Sequence, residues 1–341
     1  MENIILIDSD LQEAQDFVIG LQEESGKEWK VIVCNSNKPR TNRLYNYLRY
    51  FKYFMFPFQI FLKRKIYNDI IAWQQFYGVI FSFYCRLFKV KKSNRLCIMT
   101  FIYKEKSGLL GKIYEKFVDF ALCNGEYIDA ITCTAKTEMK YYSDKFNIPF
   151  EKFTFVPWGI LDYAKESEYD FKPIAFEEGF VFSPGRSNRD WDFVIKSLKN
   201  ETYRTLIACD DLKKETIGNV VIDNTIDMDA SLKLFEKCFC VLVSIDNPYI
   251  SSGQTVLIQA MNYGKPVIIT KSPGLSDDYI EDHVNGIVIE KTVENLQAAI
   301  MELKNDTDLY MRLSHNGRKE YEKKYSKYSL GKNVGAAFAI R

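Results

Sequence analysis

The sequence predicts an α/β protein built from two Rossmann-like, doubly wound domains. Three observations carry that reading. Short apolar runs alternate with amphipathic helical stretches along the chain. The chain has 341 residues, more than a single core usually organises. The third observation is residues 251–270, SSGQTVLIQAMNYGKPVIIT. An apolar run at 239–245 precedes them and ends in Asp246-Asn247-Pro248. Ser251-Ser252-Gly253 offer N-cap groups, and Val256, Leu257, Ala260 and Met261 recur at helical spacing. Gly264 stops the helix, Lys265 suits its negative end, and Pro266 blocks continuation. Residues 267–270 are then a buried strand. Strand, loop, helix, turn and strand make half of a doubly wound domain. The first helical amides lack partners, so with the macrodipole they form a site for an anion such as a diphosphate.

The first domain is expected over residues 1–160. Residues 3–7 form a buried strand rather than a signal peptide, having no basic start and no cleavage site. Residues 11–23 form a helix, with Leu11, Ala14, Phe17, Val18 and Leu21 on one face. Further strands are expected at 29–34, 69–72, 96–101, 130–133 and 153–156. Helices are expected at 74–88, 112–122 and 137–145. Asp8-Ser9-Asp10 reads as a strand end with an N-cap aspartate, and the alternative is a chelate for a divalent cation.

Residues 29–68 carry nine basic residues and no acid, with Tyr50, Phe51, Tyr53, Phe54, Phe56, Phe58 and Phe61 among the interleaved rings. Cations favour anionic head groups and rings favour the interfacial depth. The stretch between Arg40 and Lys65 is therefore expected to meet an anionic membrane surface. The alternative is a helix pair packed on the sheet with its cations in water. No nucleic-acid module surrounds the stretch, and the net charge of +1 gives no general pull on nucleic acid.

A polar linker is expected at 161–175 and the second domain at 176–325. Its first strand, at 180–182, runs into Ser183-Pro184-Gly185-Arg186-Ser187-Asn188-Arg189-Asp190-Trp191 and a helix through Ile195 and Leu198. Strands follow at 203–209 and 219–222, and a helix at 229–237 leads to the central stretch. Asn285-Gly286 turns the chain into a strand at 287–289. Helices are expected at 296–303 and 311–321, and residues 326–341 form a last helix.

Ala260-Met261 and Gly264-Lys265-Pro266-Val267 resemble the nucleotide-binding signature of family 4 glycosyltransferases, the glycosyl transferases group 1 of the GT-B fold. Gly185-Arg186 at a strand end, with Arg189 close behind, is similar to that family's second signature. The resemblance implies two domains facing a cleft, the first binding the acceptor, with the last helix crossing back to it. It implies that Gly185, Arg186, Arg189, Ser251, Ser252, Gly253, Gln254 and Thr255 hold the donor diphosphate. Gln259 would contact the ribose, the base would lie near 224–227, and the loop 273–278 would lie beside the donor. The family's two glutamates fall on Ser251 and Gln259 here, so no catalytic residue is assigned and the stereochemical course stays open.

The implied function is transfer of a hexose-like sugar from a nucleotide diphosphate sugar to a glycan or lipid-linked acceptor in surface polysaccharide biosynthesis. The nucleotide sugar is the donor substrate, with no separate cofactor and no metal. The alternative is a catalytically inactive relative serving as a binding or scaffold protein. An epimerase of related fold would need an acid and histidine constellation that the residues do not supply. Composition is that of a soluble protein, 47% hydrophobic and 27% charged. The eight cysteines lie in apolar segments without metal-ligand spacing and read as free thiols of a reducing cytoplasm. The expected location is cytoplasmic, peripheral on the inner face of the membrane.

Overall fold

The structure, a computed structural model, describes residues 1–8, 10–34 and 43–339. They fall into two compact units, Met1–Trp158 with Lys327–Arg341, and Gly159–Ser326. The first unit contains β1 (Glu2–Ile7), α1 (Leu11–Ser25), β2 (Lys30–Val33), α2 (Arg43–Leu62), β3 (Tyr67–Ala72) and α3 (Gln75–Leu87). It continues with β4 (Arg95–Ile98), α4 (Gly108–Leu122), β5 (Ala130–Cys133), α5 (Lys136–Phe146) and β6 (Phe153–Phe155). The strands form one parallel sheet in the order β2-β1-β3-β4-β5-β6.

Both faces of that sheet are covered, so its strands are apolar on both sides. Ile4 and Leu6 point into a core shared with Tyr53 and Phe61 of α2, Phe81 of α3 and Val118 of α4. Ile5 and Ile7 point the other way, toward Phe17 and Leu21 of α1. The aromatic segment is thus one helix, α2, with Pro57 inside it, and part of its ring content is core. Arg40 of the basic stretch lies outside the described residues.

The second unit contains α6 (Tyr163–Glu166), β7 (Val181–Pro184), α7 (Trp191–Leu198), β8 (Thr205–Ala208), β9 (Glu215–Ile217), β10 (Val220–Asp223) and α8 (Met228–Lys237). There follow β11 (Cys240–Val243), α9 (Gln254–Asn262), β12 (Val267–Thr270), α10 (Ser276–Tyr279), β13 (Ile287–Ile289), α11 (Val293–Asn305) and α12 (Thr307–Glu320). Its sheet runs β13-β12-β11-β7-β8-β10-β9, with β9 antiparallel at the edge and the rest parallel.

Residues read as a linker are held on this unit. The Asp162 carboxylate accepts two bonds from the Arg318 guanidinium, at 2.8 and 2.6 Å, and a third from the Asn262 amide at 2.7 Å. Those bonds hold the Asp162 carboxyl below its usual range against the opposing effect of burial. Lys265 is also placed differently from its expected role as a helix-end cation. It is buried, and its Nζ donates to the Glu236 carbonyl of α8 at 3.0 Å.

The last helix, α13 (Lys327–Ala339), belongs to the first unit, where it packs on α1. Two glycines set how closely these helices approach. A Cβ added at Gly331 would stand 2.0 Å from the Phe17 carbonyl oxygen, and one at Gly20 would stand 2.1 Å from that of Tyr328. Leu330, Val334 and Phe338 then reach the core beside Ile5 and Ile7. No helix among the described residues is long and apolar enough to cross a membrane.

Candidate functional site

In the second sheet the chain winds from β7 outward through β8, then returns on the other side of β7 at β11. Such a reversal leaves a crevice beyond the carboxyl ends of the two central strands, where open α/β sheets bind ligands. Two loops leave that crevice, residues 185–190 after β7 and 244–253 after β11. They are stitched together by short polar contacts. Arg189 and Ile245 form an antiparallel bridge. The Asn188 amide donates to the Asn247 carbonyl at 2.9 Å and accepts from the Asn247 N–H at 2.8 Å. Lys291 pairs with Asp190 at 2.9 Å and donates to the Asp246 carbonyl at 3.2 Å. Thr270 Oγ1 accepts from the Ile245 N–H at 2.8 Å. The residues that lock these loops carry no sequence signal; only their places in the fold reveal them.

The lock positions Arg189. Gly185, at φ +139°, and Gly253, at φ +103°, take backbone conformations that side chains rarely adopt. A Cβ on Gly185 would stand 2.9 Å from Arg189 Nε, and one on Gly253 would stand 3.2 Å from Arg189 Nη2. The guanidinium therefore lies against both glycines, at the start of α9. Its Nη1 donates to the Ser187 carbonyl at 2.9 Å. Its Nε is buried without a hydrogen-bond partner among the described residues, as is the neighbouring Ser252 Oγ. Burial pushes the Arg189 pKa down to about 10, so the group stays cationic at neutral pH. A half-buried cation whose Nε is buried and unspent, next to the open amides of a helix start, is chemically an anion receptor.

The other expected residues are placed less uniformly. Arg186 is exposed, and its Nε lies 3.2 Å from the Asp210 carboxylate. Ser251 Oγ accepts from the Gln254 amide, and Thr255 is exposed on the first turn of α9. Gln259 lies further along α9 and is buried, its amide 3.8 Å from the Met228 sulfur. Met228 opens α8 directly after residues 224–227, so Gln259 faces the loop expected to take the base. The loop at 273–278 packs on residues 248–251, where a Cβ on Gly274 would meet Ser251 N at 3.3 Å. His283 and His315 are both exposed.

The first unit has its own reversal between β1 and β3, since β2 lies on the far side of β1 and the chain then runs the other way through β3, β4, β5 and β6. Asp8 follows β1 there, and Trp73 and Gln74 follow β3. The Asp8 carboxylate is hydrogen-bonded to the Gln74 side chain, and Gln74 Nε2 donates to Tyr53 Oη at 3.3 Å. Arg49 Nε donates to the same oxygen at 2.8 Å. Burial pushes the Asp8 carboxyl up, against the smaller downward pull of Gln74 and Arg49. Ser9, the middle residue of the acidic pair, lies outside the described residues. Among the described residues no group of three or more metal-ligating side chains converges.

Residues 186–320 match the family described as Glycosyl transferases group 1. Over those residues the second unit is similar to the group 1 glycosyltransferases. An uncharacterised glycosyltransferase of Methanocaldococcus jannaschii is 30% identical over 146 residues, so the match spans 40% of this chain and only 40% of that relative. Among solved structures, HepE of Anabaena in complex with UDP superposes with a TM-score of 0.63 at 12% identity, covering 100% of both chains. WaaG, a glycosyltransferase involved in lipopolysaccharide biosynthesis, gives a TM-score of 0.56 at 14% identity, covering 97% of this chain and 98% of that one. At these identities the likeness is one of fold, and the fold is GT-B. The matched group 1 segment begins at Arg186 and contains both loops of the crevice apart from Gly185.

Proposed function

We propose that the chain transfers a sugar from a nucleoside diphosphate sugar to a glycan or lipid-linked acceptor, in the building of a surface polysaccharide. The observation that carries the proposal is Arg189, a half-buried cation with a buried, unspent Nε at the switch point of the second sheet. When the sugar leaves, the nucleoside diphosphate gains negative charge. Cations and amides already aimed at that charge lower the barrier without reorganising. Arg189, Ser252 and the first amides of α9 fill that role here, and they supply charge compensation that needs no metal. Gln259 reaches the ribose, where its amide accepts from one hydroxyl and donates to the other.

Arg186 is the second cation, drawn from Asp210 to the diphosphate when donor binds. Arg186→Ala is expected to lower transfer by about tenfold to a hundredfold, the range of one charge-assisted bond. Its exposure means the fold should be untouched, which circular dichroism checks. Full transfer in that variant would remove Arg186 from the site.

Asp8 and Gln74 are placed to receive an acceptor hydroxyl. Because burial raises the folded-state pKa of Asp8, the carboxyl contributes stability below the unfolded pKa and loses it as pH rises through the folded value. Asp8→Asn is therefore expected to raise the melting temperature at pH 7 and lower transfer about tenfold. A melting temperature that falls at pH 7 would mark Asp8 as a structural residue.

One observation favours a second reading. The family's two acids are replaced by Ser251, bonded to Gln254, and by Gln259, which is buried against Met228. A chain that binds the donor and does not turn it over would be a binding or scaffold protein. We take uridine as the donor's nucleoside, as in the UDP complex of HepE; incubation with UDP-sugars and release of UDP then separates the two. Release supports transfer or donor hydrolysis, and tight binding without release supports the scaffold. The charge and rings between Arg40 and Lys65 support docking of the first unit on an anionic membrane, which would bring it to a lipid-linked acceptor.

A further inference from the structure

We propose that the membrane-contacting surface is centred on the start of α4, where Leu109, Leu110 and Ile113 insert into an anionic bilayer, with α2 alongside. This rests on the reading that the first unit docks on a membrane, and it moves the inserting element to a part of the chain outside the basic stretch.

Leu109 is 76% exposed, Leu110 79% and Ile113 56%. Three branched apolar side chains on one helical turn are seldom left in water without a partner. The turn is flanked by exposed lysines, Lys104 and Lys106 before it and Lys112 and Lys116 beside it. Gly111 lets the preceding segment lie flat on the helix, since a Cβ there would stand 1.9 Å from the Lys106 carbonyl oxygen. The nearby acids are already engaged, as Lys145 pairs with Glu105 at 2.9 Å and with Glu115 at 3.1 Å. No carboxylate pairs with Lys104, Lys112 or Lys116 among the described residues, and Asp119 stands on the later part of the helix.

The apolar surface continues onto α2. Phe54 of α2 meets Phe117 of α4 at 5.8 Å between ring centres. Phe83 of α3 bridges onward, to Phe117 at 5.1 Å and Phe120 at 5.6 Å. Along α2, Tyr50 and Phe51 are 63% and 62% exposed, and Phe54 and Met55 are also exposed. One band of rings therefore crosses three helices, with a branched aliphatic tip at one end.

The charge pattern names the occupant. Lysines around an exposed apolar turn can extend their stems along it and keep their ammonium groups among lipid phosphates. The rings take the head-group depth. A second copy of the chain would bring its own lysines against these, which opposes association of the same face with itself.

The test uses the full chain with sedimented vesicles of phosphatidylcholine, with and without phosphatidylglycerol. The first variant is Leu109→Ser with Leu110→Ser and Ile113→Ser, all exposed positions, and its melting temperature confirms folding. The second replaces Lys104, Lys112 and Lys116 with glutamine. The third replaces Arg49, Lys52, Lys63, Arg64 and Lys65 with glutamine. Wild type is expected to bind the anionic vesicles alone. The serine variant should lose about tenfold or more in binding, and the Lys104, Lys112 and Lys116 variant should lose the salt-sensitive part. Wild-type binding by the serine variant overturns the proposal. If the third variant alone loses binding, docking through α2 stands and α4 is excluded. Absence of wild-type binding overturns both. A wild-type dimer that becomes monomeric in the serine variant, without vesicle binding, assigns the face to self-association and also overturns it. The response to UDP is expected to be unchanged in every variant, so failure of the donor site would appear separately.

Discussion

Replacing Arg189 with alanine is expected to abolish the stabilisation of the chain by UDP while leaving the free chain at least as stable as wild type. The two halves come from one feature. Arg189 is held at the switch point by Gly185 and Gly253, with a buried Nε that no described residue satisfies and a pKa pushed down to about 10. Keeping an uncompensated charge there costs folding free energy, and removing it returns that cost. The same charge is the strongest donor facing the incoming diphosphate. Two charge-assisted bonds at about 1.5–3 kcal/mol each correspond to roughly a hundredfold or more in affinity. A ligand that binds only the native state stabilises it by mass action, so the UDP-dependent rise in melting temperature should vanish with the affinity. A variant that unfolds before UDP is added would show that Arg189 is needed for the fold. Arg189→Lys should recover part of the response, because an ammonium keeps the charge and loses the fork.

Gly331→Ala should destabilise the first unit by about 3 kcal/mol or more, near the upper end of what overpacking costs. The added methyl would lie 2.0 Å from the Phe17 carbonyl oxygen, and that neighbour is backbone, which has no rotamer to retreat into. The helices α1 and α13 must separate, and separation uncovers Leu21, Leu330, Val334 and Phe338 together. Gly20→Ala meets the Tyr328 carbonyl at 2.1 Å and should cost a similar amount. Because the two sites share one helix pair, the double variant should cost less than the sum. Urea denaturation measures each. A loss below about 1 kcal/mol at both positions would mean the helices do not approach as closely as described.

Fully buried strands were legible because they are short, mostly apolar and bounded by turns; β5 and β12 fall on the expected residues. Gly185, Arg189 and Gly253 were singled out in the sequence through the resemblance to the two family signatures. Their meeting was not, because it depends on Asn188 and Asn247, whose amides pair across the loops. The polar run at 162–172 read as a linker because charge usually means solvent. Here Asp162 is answered by Arg318, a partner far along the chain that no local pattern shows. The edge strand β9, with the sequence Glu-Thr-Ile, has too few apolar residues to announce itself. Rings on every side of α2 hid which of them are core: Tyr53 and Phe61 are buried, while Tyr50 and Phe51 are not. The helix expected at 112–122 begins four residues earlier, at Gly108, so the exposed first turn of α4 was not foreseen.

The central claim is that the second unit grips the diphosphate of its donor through Arg189. Titration calorimetry of UDP and UMP against wild type and Arg189→Ala tests it most directly, since the two ligands differ only in the phosphate that Arg189 would hold. UDP should bind wild type at least about tenfold more tightly than UMP, and the gap should close in Arg189→Ala. Equal affinity of wild type for both ligands, or a gap that survives the substitution, would contradict the account.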